Sequence, residues 1–136
     1  MPGEGIAGVM RDSSGQPDAG FDFRIEEDRP REGTVVLALH GDADLHVAGE
    51  LRDRLSVAID GGASSLVLDL TEVSFVDSMA LGVLVGSAKR VRADGGEMRV
   101  VVRRPSIRRI FEVTLLDRVF PLAETREEAL AASHPA

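Results

Sequence analysis

An aspartate and a serine stand side by side at Asp77 and Ser78, where a run of β-prone residues gives way to a helix-like pattern. A serine at the start of a helix is exposed, and the free N–H groups and partial positive charge of the helix end accommodate a phosphate. The chemistry that suits this pair is phosphorylation of Ser78 by a kinase. The alternative is structural, because serine is a favoured N-cap residue and the helix dipole stabilises a nearby carboxylate.

The helix that follows this pair has an unusual outer face. Its helical spacing predicts one buried apolar stripe: Leu81, Leu84, Val85, Ala88 and Val91. A solvated helix normally carries several charges opposite such a stripe, but most residues there are small or apolar: Met79, Val83, Gly86, Ser87 and Arg90. A face of this kind beside a modifiable serine indicates a docking surface for a partner protein. The alternative is that another element of the same domain buries it.

Strands and helices alternate along the rest of the chain. Two β-prone segments at 21–25 and 34–40, separated by a polar turn at 27–33, predict an antiparallel hairpin. Further strands are predicted at 65–70, 98–102 and 118–122, and helices at 47–59, 78–94, 105–116 and 126–133. The last helix starts at a capping box formed by Thr125 and Glu128. This order predicts an α/β fold, with a mostly parallel sheet of four to five strands covered by about four helices.

The bulk composition narrows the class of protein. The chain has 136 residues, which suits one domain, and the absence of cysteine excludes disulfides and thiolate metal sites. The net charge of −7 disfavours nonspecific binding to nucleic acid or an anionic membrane, because both repel an acidic surface. Residues 1–20 lack apolar periodicity, so we expect a flexible tail there and one domain over 21–136. No apolar run approaches the length of about 20 residues that crosses a bilayer, and we expect a cytoplasmic protein.

Three segments after residue 20 resemble the STAS domain of bacterial anti-anti-sigma factors, which are anti-sigma factor antagonists. They read VVLALHGDADLHVAGELRDRL, LVLDLTEVSFVDSMALGVLVGSAKRVRADGGEMRVV and PSIRRIFEVTLLDRVFPL, in the order that the family has. The family's most specific feature is Asp-Ser followed by Gly-Leu-Gly, and four residues match it here: Asp77, Ser78, Leu81 and Gly82. The resemblance implies a STAS fold.

The same resemblance implies a phosphorylation switch. In the family, the unphosphorylated antagonist binds an anti-sigma factor, which is an ATP-binding serine kinase, and so frees the sigma factor. Phosphorylation of the serine breaks that complex, and a metal-dependent serine phosphatase resets it. Carried onto this chain, the resemblance implies that Ser78 is the phosphoacceptor and that Asp77 orients the loop and contacts the kinase. The other partner-binding residues would be Met79, Ala80, Val83, Gly86, Ser87 and Arg90. Such a protein needs no cofactor and no metal, and it has no catalytic residues of its own.

At three positions the chain differs from the family pattern. Met79 stands where a small residue, often serine, is usual, and Ala80 stands where glycine is usual. Leu115 occupies a position where a helix-ending glycine is common. Because glycine permits backbone conformations that other residues resist, a positive φ at either glycine position would be strained in this chain.

An enzyme or a metal site is the contrasting interpretation. The scattered histidines offer no Ser/His/Asp set without an assumed fold contact. His40, Asp42, Asp44 and His46 could imitate a metal site, but they lie at a strand end and in a loop without helical spacing behind them. We therefore expect neither a catalytic nor a metal-binding role for them.

Two further interpretations concern related architectures. Asp69 and Asp77 at strand ends are similar to phosphoacceptor aspartates of receiver domains, but such domains need a lysine on a late strand and Lys89 lies in a helix. A STAS scaffold or accessory module of a stress-sensing or transport assembly, without a phospho-switch, stays open as an alternative function. The oligomeric state also stays open, because the exposed helix face suits a homodimer as well as another partner.

Overall fold

A mixed sheet of five strands carries the domain. The computed structural model describes residues 23–132, so the predicted tail at 1–20 lies outside the described residues. The described strands are β1 (Arg24–Arg31), β2 (Thr34–Ala43), β3 (Ser65–Val76), β4 (Glu97–Val101) and β5 (Leu122–Ala123). The described helices are α1 (Ala48–Asp60), α2 (Ser78–Ala93), α3 (Pro105–Val113) and α4 (Arg126–Ala132). Within 23–132, none of the helices has both the length and the apolar composition that a membrane span requires.

The strands pair in the order in which they occur in the sequence. β1 runs antiparallel to β2, whereas β2, β3, β4 and β5 are parallel to one another. Crossovers between parallel strands are right-handed, so three crossovers that step in the same direction place α1, α2 and α3 on one face of the sheet. α4 packs on the opposite face, where Ala129 covers Val36, Val67 and Val101. The predicted α/β fold with an N-terminal hairpin is confirmed.

Alternating side chains of the central strands divide the core between these two faces. On β3, Leu66 and Leu68 pack toward α1, α2 and α3, whereas Val67 packs toward α4. Burial on both faces explains why this strand is a continuous apolar run in the sequence. The rings of Phe111 and Phe120 meet edge to face with centroids 6.0 Å apart and fix α3 over the sheet.

Polar contacts hold α4 against the sheet. Nη2 of Arg126 lies 3.0 Å from Oδ2 of Asp69, whose side chain is only 10% exposed. Oδ1 of Asp69 accepts the backbone N–H of Thr71 at 3.0 Å and its hydroxyl at 2.5 Å, so both carboxylate oxygens are occupied. Arg31 donates to the carbonyl of Leu130 at 2.6 Å. These bonds add to the apolar contact of Ala129 with Val36, Val67 and Val101.

Three strands are longer than the sequence indicates, and β2 runs to Ala43 rather than ending at residue 40. β1 continues through Arg31, so the turn predicted at 27–33 is too long. The register irregularity between Asp28 and Arg31 leaves Pro30 without a partner on β2, which suits a residue that cannot donate a ladder bond. β3 continues past Leu70 to Val76, because β2 keeps pairing with it through two register shifts. The extension of β3 brings the chain directly to Asp77.

The predicted strand at 118–122 is mostly wrong. The chain forms a 3-10 turn over Leu116–Arg118, and only Leu122–Ala123 pairs with β4. This turn is needed because it carries Phe120 from the end of α3 onto the ring of Phe111. The predicted capping box of α4 is confirmed in one of its two bonds. Thr125 Oγ1 accepts the N–H of Glu128 at 3.0 Å, whereas Oε1 of Glu128 accepts the N–H of Glu124, rather than that of Thr125, at 3.0 Å.

Leu115 ends α3 in a left-handed conformation. Its φ is 63°, and it is the one non-glycine residue with a positive φ in the described part of the chain. Its side chain is 56% exposed, so packing compensates little for the backbone strain. The expectation that a glycine position occupied by leucine is strained is borne out here.

We expect Leu115→Gly to raise the free energy of unfolding by about 0.5–1 kcal/mol, because glycine adopts this φ without a steric cost. Chemical denaturation of both proteins measures the difference. Val113→Gly is the matched control, since this exposed residue ends α3 with helical φ and should lose about 0.5 kcal/mol. A Leu115→Gly protein no more stable than the parent would contradict the assignment of strain.

Candidate functional site

The carboxylate of Asp77 closes the junction between β3 and α2. Asp77 has an extended backbone with φ −107° and ψ 179°, and its Oδ1 accepts the N–H of Ala80 at 3.0 Å. Its own N–H donates to the carbonyl of Ala43 at the end of β2. Asp77 is therefore the N-cap, and the interpretation of Ser78 as the capping residue is wrong. Aspartate and serine are about equally good N-cap residues. Asp77 is the N-cap because its backbone N–H is bonded to β2, which keeps its backbone extended.

Ser78 is the first residue of α2 and is exposed. Among the described residues its hydroxyl has no hydrogen-bond partner, because Asp77 supplies the cap. The N–H groups of Ser78 and Met79 also lack an acceptor there, as is usual in the first turn of a helix. Ala80 does not have a positive φ, so alanine fits this turn without strain. The junction thus presents a free hydroxyl beside free N–H donors.

A cavity of about 480 Å³ runs along the surface from Ser78. We name it the α1–α2 groove, and it is lined by two residues of α1 and seven of α2: Arg52, Ser56, Ser78, Met79, Gly82, Val83, Gly86, Ser87 and Arg90. Met79 at its rim is 58% exposed, whereas Val83 is half-buried. The predicted docking face of α2 is therefore one wall of a groove that starts at the serine.

The structure brings most of the predicted partner-binding residues together. Six of them line the groove: Ser78, Met79, Val83, Gly86, Ser87 and Arg90. Ser87 is 6% exposed and contributes to the floor rather than to an outer face. Ala80 is 1% exposed, so its side chain belongs to the core and lies outside the groove. Asp77 is adjacent to the groove and acts through its cap.

Helix α1 supplies the wall that the sequence did not indicate. Arg90 crosses from α2 and lies 2.6 Å from Oδ1 of Asp60, and it donates to Ser56 at 3.2 Å. Arg52 lines the groove from the same helix. No local motif marks these α1 residues. Only the strand order could have predicted this wall, because right-handed crossovers between neighbouring parallel strands set α1 and α2 side by side.

Two glycines keep the groove open. Gly82 and Gly86 lie inside α2, where each costs about 1 kcal/mol relative to alanine. A Cβ at either position would meet nothing within 4 Å, so packing within the described chain does not require glycine. Their effect is a low floor along which a partner backbone can approach closely.

The other candidate ligands are engaged in local contacts. His40 Nε2 lies 3.2 Å from Oε1 of Glu26, and Asp42 accepts from the hydroxyl of Ser74 at 2.9 Å. The hydrogen bond from Arg24, followed by that from His40, lowers the pKa of Glu26. Across residues 23–132, no three His, Cys, Asp or Glu side chains gather in a way that could hold a metal ion.

The two remaining alternatives also lack supporting geometry. Asp44 accepts the backbone N–H of His46 at 2.9 Å, which is a local loop contact. Asp69 bonds to Arg126 near the opposite face of the sheet from α2, whereas Lys89 is exposed on α2 itself. These residues do not form the acidic and lysine cluster of a receiver domain.

Comparison with known proteins identifies the family that has this architecture. The family model described as the STAS domain matches residues 27–129. This chain belongs to the STAS domain family. The match includes β3, the Asp77–Ser78 junction and both walls of the α1–α2 groove, so the site lies within the family domain.

Relatives of this STAS domain carry consistent names. The anti-sigma F factor antagonist of Paenibacillus polymyxa is 30% identical over 111 residues, covering 81% of this chain and 94% of the relative. An anti-sigma factor antagonist from Mycobacterium paratuberculosis has a crystal structure with a TM-score of 0.76 and 28% identity, covering 82% of this chain and 94% of that one. The anti-sigma factor antagonist SpoIIAA in its unphosphorylated form gives a TM-score of 0.70 at 27% identity, covering 80% and 95%. SpoIIAA in its phosphorylated form gives 0.66 at 25% identity, covering 82% and 100%.

We expect Asp77→Ala to lower the free energy of unfolding by about 1 kcal/mol, because it removes the cap of α2. Asp77→Asn is the matched control and should retain nearly all of the stability, since the amide oxygen can accept the same bond from Ala80. Urea denaturation of the three proteins measures the difference. Equal losses for both variants would show that charge, rather than the capping bond, determines the effect.

Proposed function

We propose that this STAS domain protein is an anti-sigma factor antagonist whose α1–α2 groove binds an anti-sigma factor. The observation that carries the proposal is the position of Ser78, an exposed hydroxyl without a capping role at the head of that groove. The names of the relatives support the partner class. In this proposal the unphosphorylated protein occupies the anti-sigma factor and so releases the sigma factor.

Phosphorylation of Ser78 is the proposed control. The anti-sigma factor acts as a serine kinase and transfers the γ-phosphoryl group of ATP to Oγ of Ser78, so that the hydroxyl proton is lost and ADP leaves. A serine phosphatase later hydrolyses the ester and restores the hydroxyl. The existence of SpoIIAA in unphosphorylated and phosphorylated forms supports this cycle by similarity.

The charge added at Ser78 is large enough for a switch. A phosphate adds about −1.5 to −2 charges to a neutral hydroxyl. Against one partner carboxylate about 4–6 Å away, the repulsion is about 1–4 kcal/mol, depending on exposure. Since a tenfold change in affinity corresponds to about 1.4 kcal/mol, one modification can weaken binding by about ten- to a thousandfold. The helix N-terminus tolerates the anion, so no change of fold is required.

We expect Ser78→Asp to weaken binding of the anti-sigma factor by about tenfold or more, because it places a charge at the head of the groove. Ser78→Ala should bind as tightly as the parent and resist dissociation by ATP. Calorimetry with an anti-sigma factor kinase of the same organism measures both affinities.

Ser106→Asp is the control for that comparison, since Ser106 is an exposed serine in the first turn of α3 and lies outside the groove. It should leave the affinity unchanged. Intact mass after incubation with kinase and ATP should show one added phosphate in the parent and none in Ser78→Ala. Equal affinities of Ser78→Asp and Ser78→Ala, with no phosphate added, would favour the scaffold alternative.

We expect Gly86→Gln to weaken binding of the same partner by about tenfold or more while the domain stays folded. The new side chain would fill the groove, and it meets no atom of the chain within 4 Å at its Cβ. Helix propensity should even raise the free energy of unfolding by about 0.5–1 kcal/mol. Val113→Gln, on the exposed side of α3, is the control and should bind normally. If a stable Gly86→Gln protein bound the anti-sigma factor as tightly as the parent, the groove would not be the binding surface.

A further inference from the structure

The α1–α2 groove contains one positive charge that no carboxylate neutralises. Two arginines line the groove, and no aspartate or glutamate does. Arg90 is bound to Asp60 and Ser56, so its charge is compensated. Arg52 is exposed and has no ion-pair partner among residues 23–132. A guanidinium without a carboxylate partner has N–H donors free to bind an anion.

The packing of the two helices places Arg52 close to Ser78. Both helices connect parallel strands on the same face of the sheet, so they run in the same direction. Arg90 contacts both Asp60 and Ser56 across the two helices, and eight residues earlier these contacts place Arg52 opposite the segment from Gly82 to Gly86. Ser78 lies four to eight residues before that segment, a rise of about 6–12 Å. Arg52 and Ser78 line the same groove, so the long arginine side chain and a phosphate on Ser78 can meet within it.

We propose that Arg52 binds the phosphate of phosphorylated Ser78 and thereby folds the phosphoserine into the α1–α2 groove. This inference rests on Ser78 being the phosphoacceptor, as proposed above. A guanidinium matches two phosphate oxygens with parallel N–H donors, and such charge-assisted pairs are stronger than neutral hydrogen bonds. The paired phosphate would lie across Met79 and Gly82, where a partner has to dock. The modified protein therefore covers its own docking surface, in addition to repelling an acidic partner.

The test uses the full chain with phosphoserine incorporated at position 78 during translation, so neither kinase nor anti-sigma factor is needed. Phosphorus NMR follows the second ionisation of the phosphate as the pH is changed. An adjacent cation favours the dianion and lowers its pKa, so Arg52→Gln should raise the pKa of the phosphoserine by about half a unit to one unit. Arg52→Lys should give an intermediate value, because lysine keeps the charge without the paired donors.

Lys89→Gln is the matched control. It removes one exposed positive charge from α2 at a position that does not line the groove, and it should leave the phosphoserine pKa unchanged. In the parent, the Nε–H signal of Arg52 should shift with the titration of the phosphate. Identical titration curves for the parent and Arg52→Gln, with a stationary Arg52 signal, would overturn the inference. Because no partner is present, this result is independent of whether the anti-sigma factor binds or phosphorylates the protein.

Discussion

The bond between the Asp77 carboxylate and the N–H of Ala80 is the interaction on which the site depends. It starts α2 one residue earlier than a serine cap would, and it leaves the hydroxyl of Ser78 without a structural task. The bond from the N–H of Asp77 to the carbonyl of Ala43 ties this start to the end of β2. The two residues therefore have different roles: the carboxylate of Asp77 caps α2, and the hydroxyl of Ser78 is available for modification.

The second constraint is the alignment of α1 with α2. Right-handed crossovers place the helices side by side, the apolar faces of both helices pack into one core, and the exposed pair between Asp60 and Arg90 joins them at the surface. The groove between them stays open because Gly82 and Gly86 have no side chains. A partner that docks there meets a low floor of small residues, the hydroxyl of Ser78 and the guanidinium of Arg52, so a single phosphate can change both the charge and the shape of the surface.

Sequence patterns predicted the parts of this protein that depend on local chemistry. Burial on both faces made β3 a continuous apolar run, and helical spacing identified the buried side of α2. The capping residue was misassigned, because Asp77 and Ser78 are both good caps and only the backbone tie to β2 distinguishes them. Ser87 was placed on the outer face, although the packing of α1 makes it part of a floor.

The parts that were missed depend on contacts between distant segments. Arg52 and Ser56 are ordinary helix-surface residues in the sequence, and they enter the site only through the packing of α1 on α2. The 3-10 turn after Leu115 exists because Phe120 has to reach Phe111, which no local pattern shows. In contrast, the family's glycine at position 115 was an accurate indicator of the left-handed backbone.

The central claim is that a phosphate on Ser78 removes a protein partner from the α1–α2 groove. Calorimetry on one sample tests it most directly: full-length protein with phosphoserine at position 78 is titrated with the anti-sigma factor before and after phosphatase treatment. The account predicts that removal of the phosphate tightens binding by about tenfold or more, equivalent to about 1.4 kcal/mol or more. Equal affinity before and after treatment would contradict it.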